Sequence, residues 1–295
     1  MVSSEVIILQ IEYNLNIIIL FNTMKKTGLK RDVTDKFYTK PEVAKKCVEE
    51  WKRLNIPAEG SIVIEPSAGS GSFTSKLQQY NSVSFDIAPA HPDVKQQDFL
   101  QLELSTCFSL PCHYIGNPPF GRQSSTAKKF IKHICKADTT ETFSFILPKS
   151  FKKTSMQRCI PLNFHLYSQI DVELNAFTVE GEDYNVPCIF QIWKKYASER
   201  YVPPKLEPIG YEFVKDKLKS RYALRRVGVN AGKIIDLFAC EISGISEQSH
   251  VFITLDKPYD KFIEKYEKIE WEHDNTVGPK SIGKQEFIKE INKLF

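Results

Sequence analysis

The run Ser61-Ile-Val-Ile64 ends in a carboxylate, Glu65, and breaks at once into Pro66-Ser67-Ala68-Gly69-Ser70-Gly71-Ser72 before apolar text resumes at Phe73. A short β-branched run is strand text, and glycines directly after it leave backbone N–H groups and a helix start bare, because no side chain screens them. That strand, loop and helix order restricts the chain to α/β architectures with a ligand at a strand end. Further apolar runs at Val83–Phe85, His113–Ile115, Phe143–Leu147, Phe164–Val172 and Pro187–Trp193 alternate with polar or helical segments such as Thr126–Cys135. The alternation predicts a largely parallel sheet covered by helices. Upstream, Thr39 reads as a helix cap, with Pro41 in the first turn and Glu42 completing a capping box. Val43, Cys47, Val48 and Trp51 then follow at helical spacing, and Phe73 to Tyr80 predicts a second helix.

The loop matches neither common nucleotide motif. A dinucleotide fingerprint wants a third glycine where Thr74 stands, and a phosphate loop wants a Lys-Ser/Thr pair that is absent. Two acids stand where later strands end: Asp86, about 20 residues beyond Glu65, at the spacing of a ribose-binding carboxylate, and Asp98, followed by Phe99. Beyond Ile115-Gly116 comes Asn117-Pro118-Pro119-Phe120. Two consecutive prolines remove two donors and stiffen the chain, so the Pro118 carbonyl and the Asn117 amide oxygen can be aimed at one place. Two convergent acceptors suit an amine with two N–H bonds. Taken singly, Asn-Pro is an ordinary turn and each Asp an ordinary loop residue; their order along one sheet is what makes a site.

The segment Glu65-Pro-Ser-Ala-Gly69-Ser-Gly71 resembles motif I of the class I S-adenosylmethionine-dependent methyltransferases. With Asn117-Pro-Pro-Phe120 after it, the stretch from about Asp35 to Lys195 resembles the N6-adenine methyltransferase family in its gamma-type motif order. The resemblance implies a Rossmann-like sheet, mostly parallel with an antiparallel last strand, and a C-terminal α/β appendage. It implies S-adenosyl-L-methionine as cofactor, bound by Thr39, Glu65, Ser67, Ala68, Gly69, Gly71, Asp86, Asp98, Phe99 and Asn117. Asp86 would accept from the ribose hydroxyls and Asp98 from the adenine amine, while the Phe99 ring packs on the adenine. Asn117, Pro118, Pro119 and Phe120 would be catalytic, with Phe120 stacking on the target base and Phe177 forming its second wall; Tyr184 competes for that place. Lys36-Phe37-Tyr38-Thr39-Lys40-Pro41 resembles the segment that closes over the cofactor in this order class. The implied reaction is methyl transfer to the N6 amine of adenine in nucleic acid, DNA favoured. RNA is the alternative, since Gly121 is also seen in some RNA adenine enzymes; protein glutamine methylation and a catalytically silent cofactor- or nucleic-acid-binding subunit are the others.

Composition narrows the remainder. At 42% hydrophobic and 26% charged over 295 residues, the chain lies outside collagenous or wholly disordered classes. Seven scattered cysteines without a C-x-x-C pair signal no disulfide framework, and neither they nor the six histidines show metal spacing, so no metal is predicted. A formal charge of +4 permits a nucleic-acid partner, and its distribution matters more than its sum. Lys149, Lys152, Lys153 and Arg158 follow a strand near the expected catalytic edge. Lys215 to Arg226 mixes cations with Tyr211, Phe213 and Tyr222 nearby, as a phosphate-tracking groove would. Gln10, Glu12, Asn14 and Asn16 interrupt the apolar run Val6–Phe21 below the ~18 residues a membrane helix needs, and no secretory signal surrounds it. The expected organisation is an apolar extension over 1–23, a methyltransferase domain over 24–197, and a nucleic-acid-contacting region over 198–295 beyond the proline-rich Ser198–Pro208. The expected location is cytoplasmic, or nuclear for a eukaryotic DNA-directed enzyme, with no membrane; the oligomeric state is left open.

Overall fold

The computed structural model describes residues 37–271 and 280–295. The chain divides into Met1–Asp35 and Lys36–Phe295, and the extension expected over 1–23 lies outside the described residues.

Seven strands form the main sheet: β1 (Ile62–Glu65), β2 (Ser82–Asp86), β3 (Val94–Gln96), β4 (Cys112–Gly116), β5 (Thr140–Pro148), β6 (Phe164–Asp171) and β7 (Cys188–Lys195). Their order is β3-β2-β1-β4-β5-β7-β6. Neighbours from β3 to β5 run parallel, and β7, last in the chain, lies antiparallel between β5 and β6. This is the Rossmann-like sheet, mostly parallel with an antiparallel last strand, that the apolar runs and the resemblance led us to expect. The strand order reverses at β1, whose neighbours are β2 and β4, so a crevice opens beyond the carboxyl ends of β1 and β4. The glycine loop follows the first of these strands and Asn117 the second.

Helices cover both faces, which is why the inner strands read as almost unbroken apolar runs. On one face, α1 (Pro41–Arg53) buries Val43, Ala44, Cys47, Val48 and Trp51, and the indole Nε1 donates to Ser144 Oγ of β5 at 2.7 Å. On the other, α2 (Ser125–Ile134) buries Ala127, Phe130, Ile131 and Ile134. Pro41 opens α1 as expected, but Thr39 does not cap it: Lys40 holds that position and no side chain bonds the first turn. Thr39 is extended instead, because Tyr38–Thr39 pairs with Phe177–Val179 in a three-stranded antiparallel sheet completed by Glu182–Tyr184, and Lys40 N donates to Ala176 O. The helix expected over Phe73 to Tyr80 shrinks to Thr74–Leu77, since the chain must turn at once to enter β2, a turn closed by Ser82 Oγ on Leu77 O.

A second, antiparallel sheet contains β8 (Tyr211–Val214), β9 (Tyr222–Arg225), β10 (Ile234–Asp236) and β11 (His250–Leu255) in the order β8-β11-β9-β10. With Phe262–Tyr266 and α3 (Lys284–Ile291) it encloses a core of its own around Leu224, Ile253, Phe262, Tyr266 and Phe287. Between Lys195 and Tyr211 there is no helix or strand, yet the segment is tied down. Arg200 donates to the carbonyls of Gln157, Ile160, Pro161 and Phe164, Leu206 N to Gln285 Oε1, and Ile209 N to Asn292 Oδ1. Lys153 Nζ crosses to Ser281 O at 3.1 Å and Glu286 Oε2 at 2.9 Å, and the same Glu286 oxygen accepts from Gly283 N at the start of α3. Among the described residues no helix is long and apolar enough to cross a membrane.

Candidate active site

The end of β2 clasps the glycine loop. Ala68 N donates to Phe85 O, Gly69 N to Asp86 Oδ2 at 2.8 Å, and Ala90 N returns to Gly69 O. The second Asp86 oxygen accepts from Ala88 N at 2.8 Å, so the carboxylate is fixed while each oxygen retains a lone pair. Both glycines are steric requirements. Gly71 has φ +79° and a Cβ there would lie 2.5 Å from the His91 ring; at Gly69, φ +52°, it would meet the Tyr38 ring at 3.0 Å.

Glu65, at the tip of β1, is 1% exposed. Thr74 Oγ1 donates to its Oε2 at 2.6 Å and Ser84 Oγ at 3.3 Å. Burial pushes its pKa up to about 7, and the two hydroxyls offset part of the rise. From about pH 4.5 to about pH 7 the folded state therefore keeps a proton that the unfolded chain has released, so stability falls as pH rises, by roughly 3 kcal/mol across that window. Glu65→Gln removes the titration. Thermal melts should show the difference between variant and wild type growing in favour of the variant from pH 4.5 to 7; a constant difference would exclude Glu65 as the source.

Asn117 follows the last residue of β4. Its Nδ2 donates to Phe37 O at 3.2 Å, which sets the orientation of the amide, and its backbone carbonyl accepts from Ser67 Oγ at 3.2 Å. The amide oxygen Oδ1 is buried and has no hydrogen-bond partner among the described residues. Phe120 O accepts from Thr126 N, joining the Pro118-Pro119 turn to the start of α2. Of the residues expected at the cofactor, Thr39, Glu65, Ser67, Ala68, Gly69 and Asn117 come together around a cavity of about 30 Å³, with Phe37, Tyr38 and Phe73. Asp86 reaches it through Gly69. Asp98 is exposed at the end of β3, where it caps the turn Phe99–Gln101 by accepting from Leu100 N, and Gln97 N ties that turn to Asp86 O.

Three aromatic rings expected at the site are buried in this structure. The Phe99 ring does not face a ligand: it is 1% exposed and stacked on Phe130 at 5.9 Å, because the turn directs it inward beneath α2. Phe177 is fully buried, its strand pairing against Thr39. Phe120 is buried too, with its ring stacked on Phe37 at 6.2 Å. Phe37 also lies 6.4 Å from Phe177 and 5.1 Å from the half-buried Tyr184. Its position at the centre of these rings was missed; the available signal was its place in the segment expected to close over the cofactor.

The cations are partly committed. Lys149 and Lys152 approach Asp171 at 3.8 and 3.0 Å, and Lys153 binds Glu286. In the second sheet Arg221 Nη2 meets Asp236 Oδ2 at 2.7 Å, with its guanidinium over the Tyr222 and Phe238 rings. Arg221 is thus paired, whereas Arg226 is exposed.

No family model and no curated protein matches the sequence. Solved structures similar to this chain include a proposed RNA methyltransferase of Pyrococcus horikoshii, 16% identical over 59% of this chain and 95% of that one, with a TM-score of 0.40. Another is a proposed class I S-adenosylmethionine-dependent methyltransferase of Listeria monocytogenes, 13% identical over 60% and 66%, TM-score 0.42. A third is the E. cuniculi Mtq2–Trm112 complex, which methylates the eRF1 termination factor, 13% identical over 55% and 99%, TM-score 0.39. These neighbours are described as methyltransferases of different kinds, and at such identities and TM-scores the likeness says nothing about which substrate this chain takes. The strand order, with one antiparallel strand inserted beside β5, carries the fold on its own.

Proposed function

We propose that the chain transfers a methyl group from S-adenosyl-L-methionine to the N6 amine of adenine in nucleic acid. The observation that carries this reading is the Asn117 amide oxygen, buried without a partner while the other end of the amide is anchored to Phe37. An orphaned buried acceptor costs about 1–3 kcal/mol, a cost that a ligand bearing N–H groups removes. Adenine's exocyclic nitrogen has two N–H bonds and a lone pair delocalised into the ring. Accepting both hydrogens, at Asn117 Oδ1 and the Pro118 carbonyl, favours a tetrahedral nitrogen and exposes the lone pair.

The residues present suit the cofactor. Gly69 lines the cavity without a side chain to narrow it, and Asp86 has acceptor capacity for a ribose diol. When bound, S-adenosylmethionine supplies an electrophilic methyl group on a sulfonium. The present cavity of about 30 Å³ is far smaller than the hundreds of Å³ such a ligand needs, and the Tyr38 ring beside Gly69 is among the groups that line it. In this reading residues 24–197 perform the chemistry and 198–295 help to hold the polymer. DNA is the first polymer to test and RNA the second. Incubation with tritiated cofactor and separate pools of DNA, RNA and protein should label nucleic acid, and digestion should release the label as N6-methylated adenosine. Label confined to protein would replace this reading with amide methylation.

A further inference from the structure

A cavity of about 220 Å³ opens on the flank of the main sheet, away from Asn117. Leu166 of β6 and Trp193 of β7 line it, with Arg158, Arg200, Tyr201 and Pro203. Leu166 pairs with Trp193, Trp193 with Phe143 and Phe143 with Tyr114, three residues before Asn117. Three strand spacings sideways and three residues down put the cavity roughly 15–20 Å from the Asn117 position.

Its walls divide by chemistry. Arg200 forms the floor: its guanidinium lies 5.3 Å from the Trp193 ring centroid, and its N–H groups are taken by four backbone carbonyls. Tyr201 is 81% exposed, a flat ring held beside an apolar wall by a segment pinned at Arg200. Arg158 is exposed and has no carboxylate partner among the described residues. Around it the field is positive, since the neighbouring Cys159 thiol is acted on by Lys128, Lys132 and Arg200, each pulling its pKa down against burial. No Asp or Glu lines the cavity. An aromatic face, a stacked guanidinium and an unpaired arginine without a carboxylate nearby suit a base joined to a phosphate.

We infer that this cavity is a second nucleotide subsite, in which one base of a single strand stacks on Tyr201 and its phosphate meets Arg158 while the target adenine lies at Asn117. The inference rests on the nucleic-acid reading proposed above. The test uses the full chain with labelled DNA and RNA single strands, one long enough to span both places and one too short to do so. Tyr201→Ala and Arg158→Ala should each weaken the long strand about tenfold, leave the short strand unchanged and leave cofactor affinity unchanged. Tyr201→Phe should retain binding, and Arg158→Ala should lower the salt slope by about 0.7. Wild-type affinity and salt slope in both alanine variants would overturn the subsite and leave the proposed reaction standing. A wild-type chain that binds no strand at all would overturn the polymer as well.

Discussion

On the proposed reading, Asn117→Ala should lower methyl transfer by at least ~10²-fold and leave cofactor affinity nearly intact. The magnitude is that of removing one preorganised group from a reacting centre. The fold should tolerate the change, because the amide oxygen satisfies no protein donor and only the bond from Nδ2 to Phe37 O is lost. Single-turnover transfer from tritiated cofactor, with calorimetry of cofactor binding on the same sample, separates the two effects. An active Asn117→Ala enzyme would refute the site, and a variant that has lost cofactor binding would place Asn117 at the cofactor instead of the amine.

Asp86→Ala should weaken cofactor binding by about 1.5–3 kcal/mol, the worth of a charge-assisted hydrogen bond. Two causes add. A ribose diol loses its charged acceptor, and Gly69 N and Ala88 N lose the carboxylate that holds the loop to β2. Asp86→Asn separates them in part, since its amide oxygen can still accept from Gly69 N without the charge while Ala88 N loses its acceptor. Calorimetry that gives the alanine variant wild-type affinity would sink the assignment.

Apart from β3, whose Val94-Lys-Gln96 has no apolar run, the strands of the main sheet were legible as short apolar runs between turn residues, and the glycine loop was legible because two positive-φ positions leave little choice of residue. What escaped were effects of distant partners. Thr39 has the chemistry of a cap, but pairing with Phe177 draws its backbone into a strand before the helix begins. Phe99 and Phe177 sit in a single turn and a three-residue strand, too short for periodicity to say which way a ring faces. Nothing in the cation-rich stretch around Arg221 announces that Asp236, on the adjacent strand, pairs with it.

Glu286 belongs to the first turn of α3, and one of its oxygens serves both Gly283 N and the Lys153 ammonium. A helix start and the seam between two hydrophobic cores therefore share a single acceptor. Fraying α3 loosens the grip on Lys153, and pulling Lys153 away leaves the helix start with one less counterweight. Amide exchange in the last helix should thus respond when the Lys153 contact is removed.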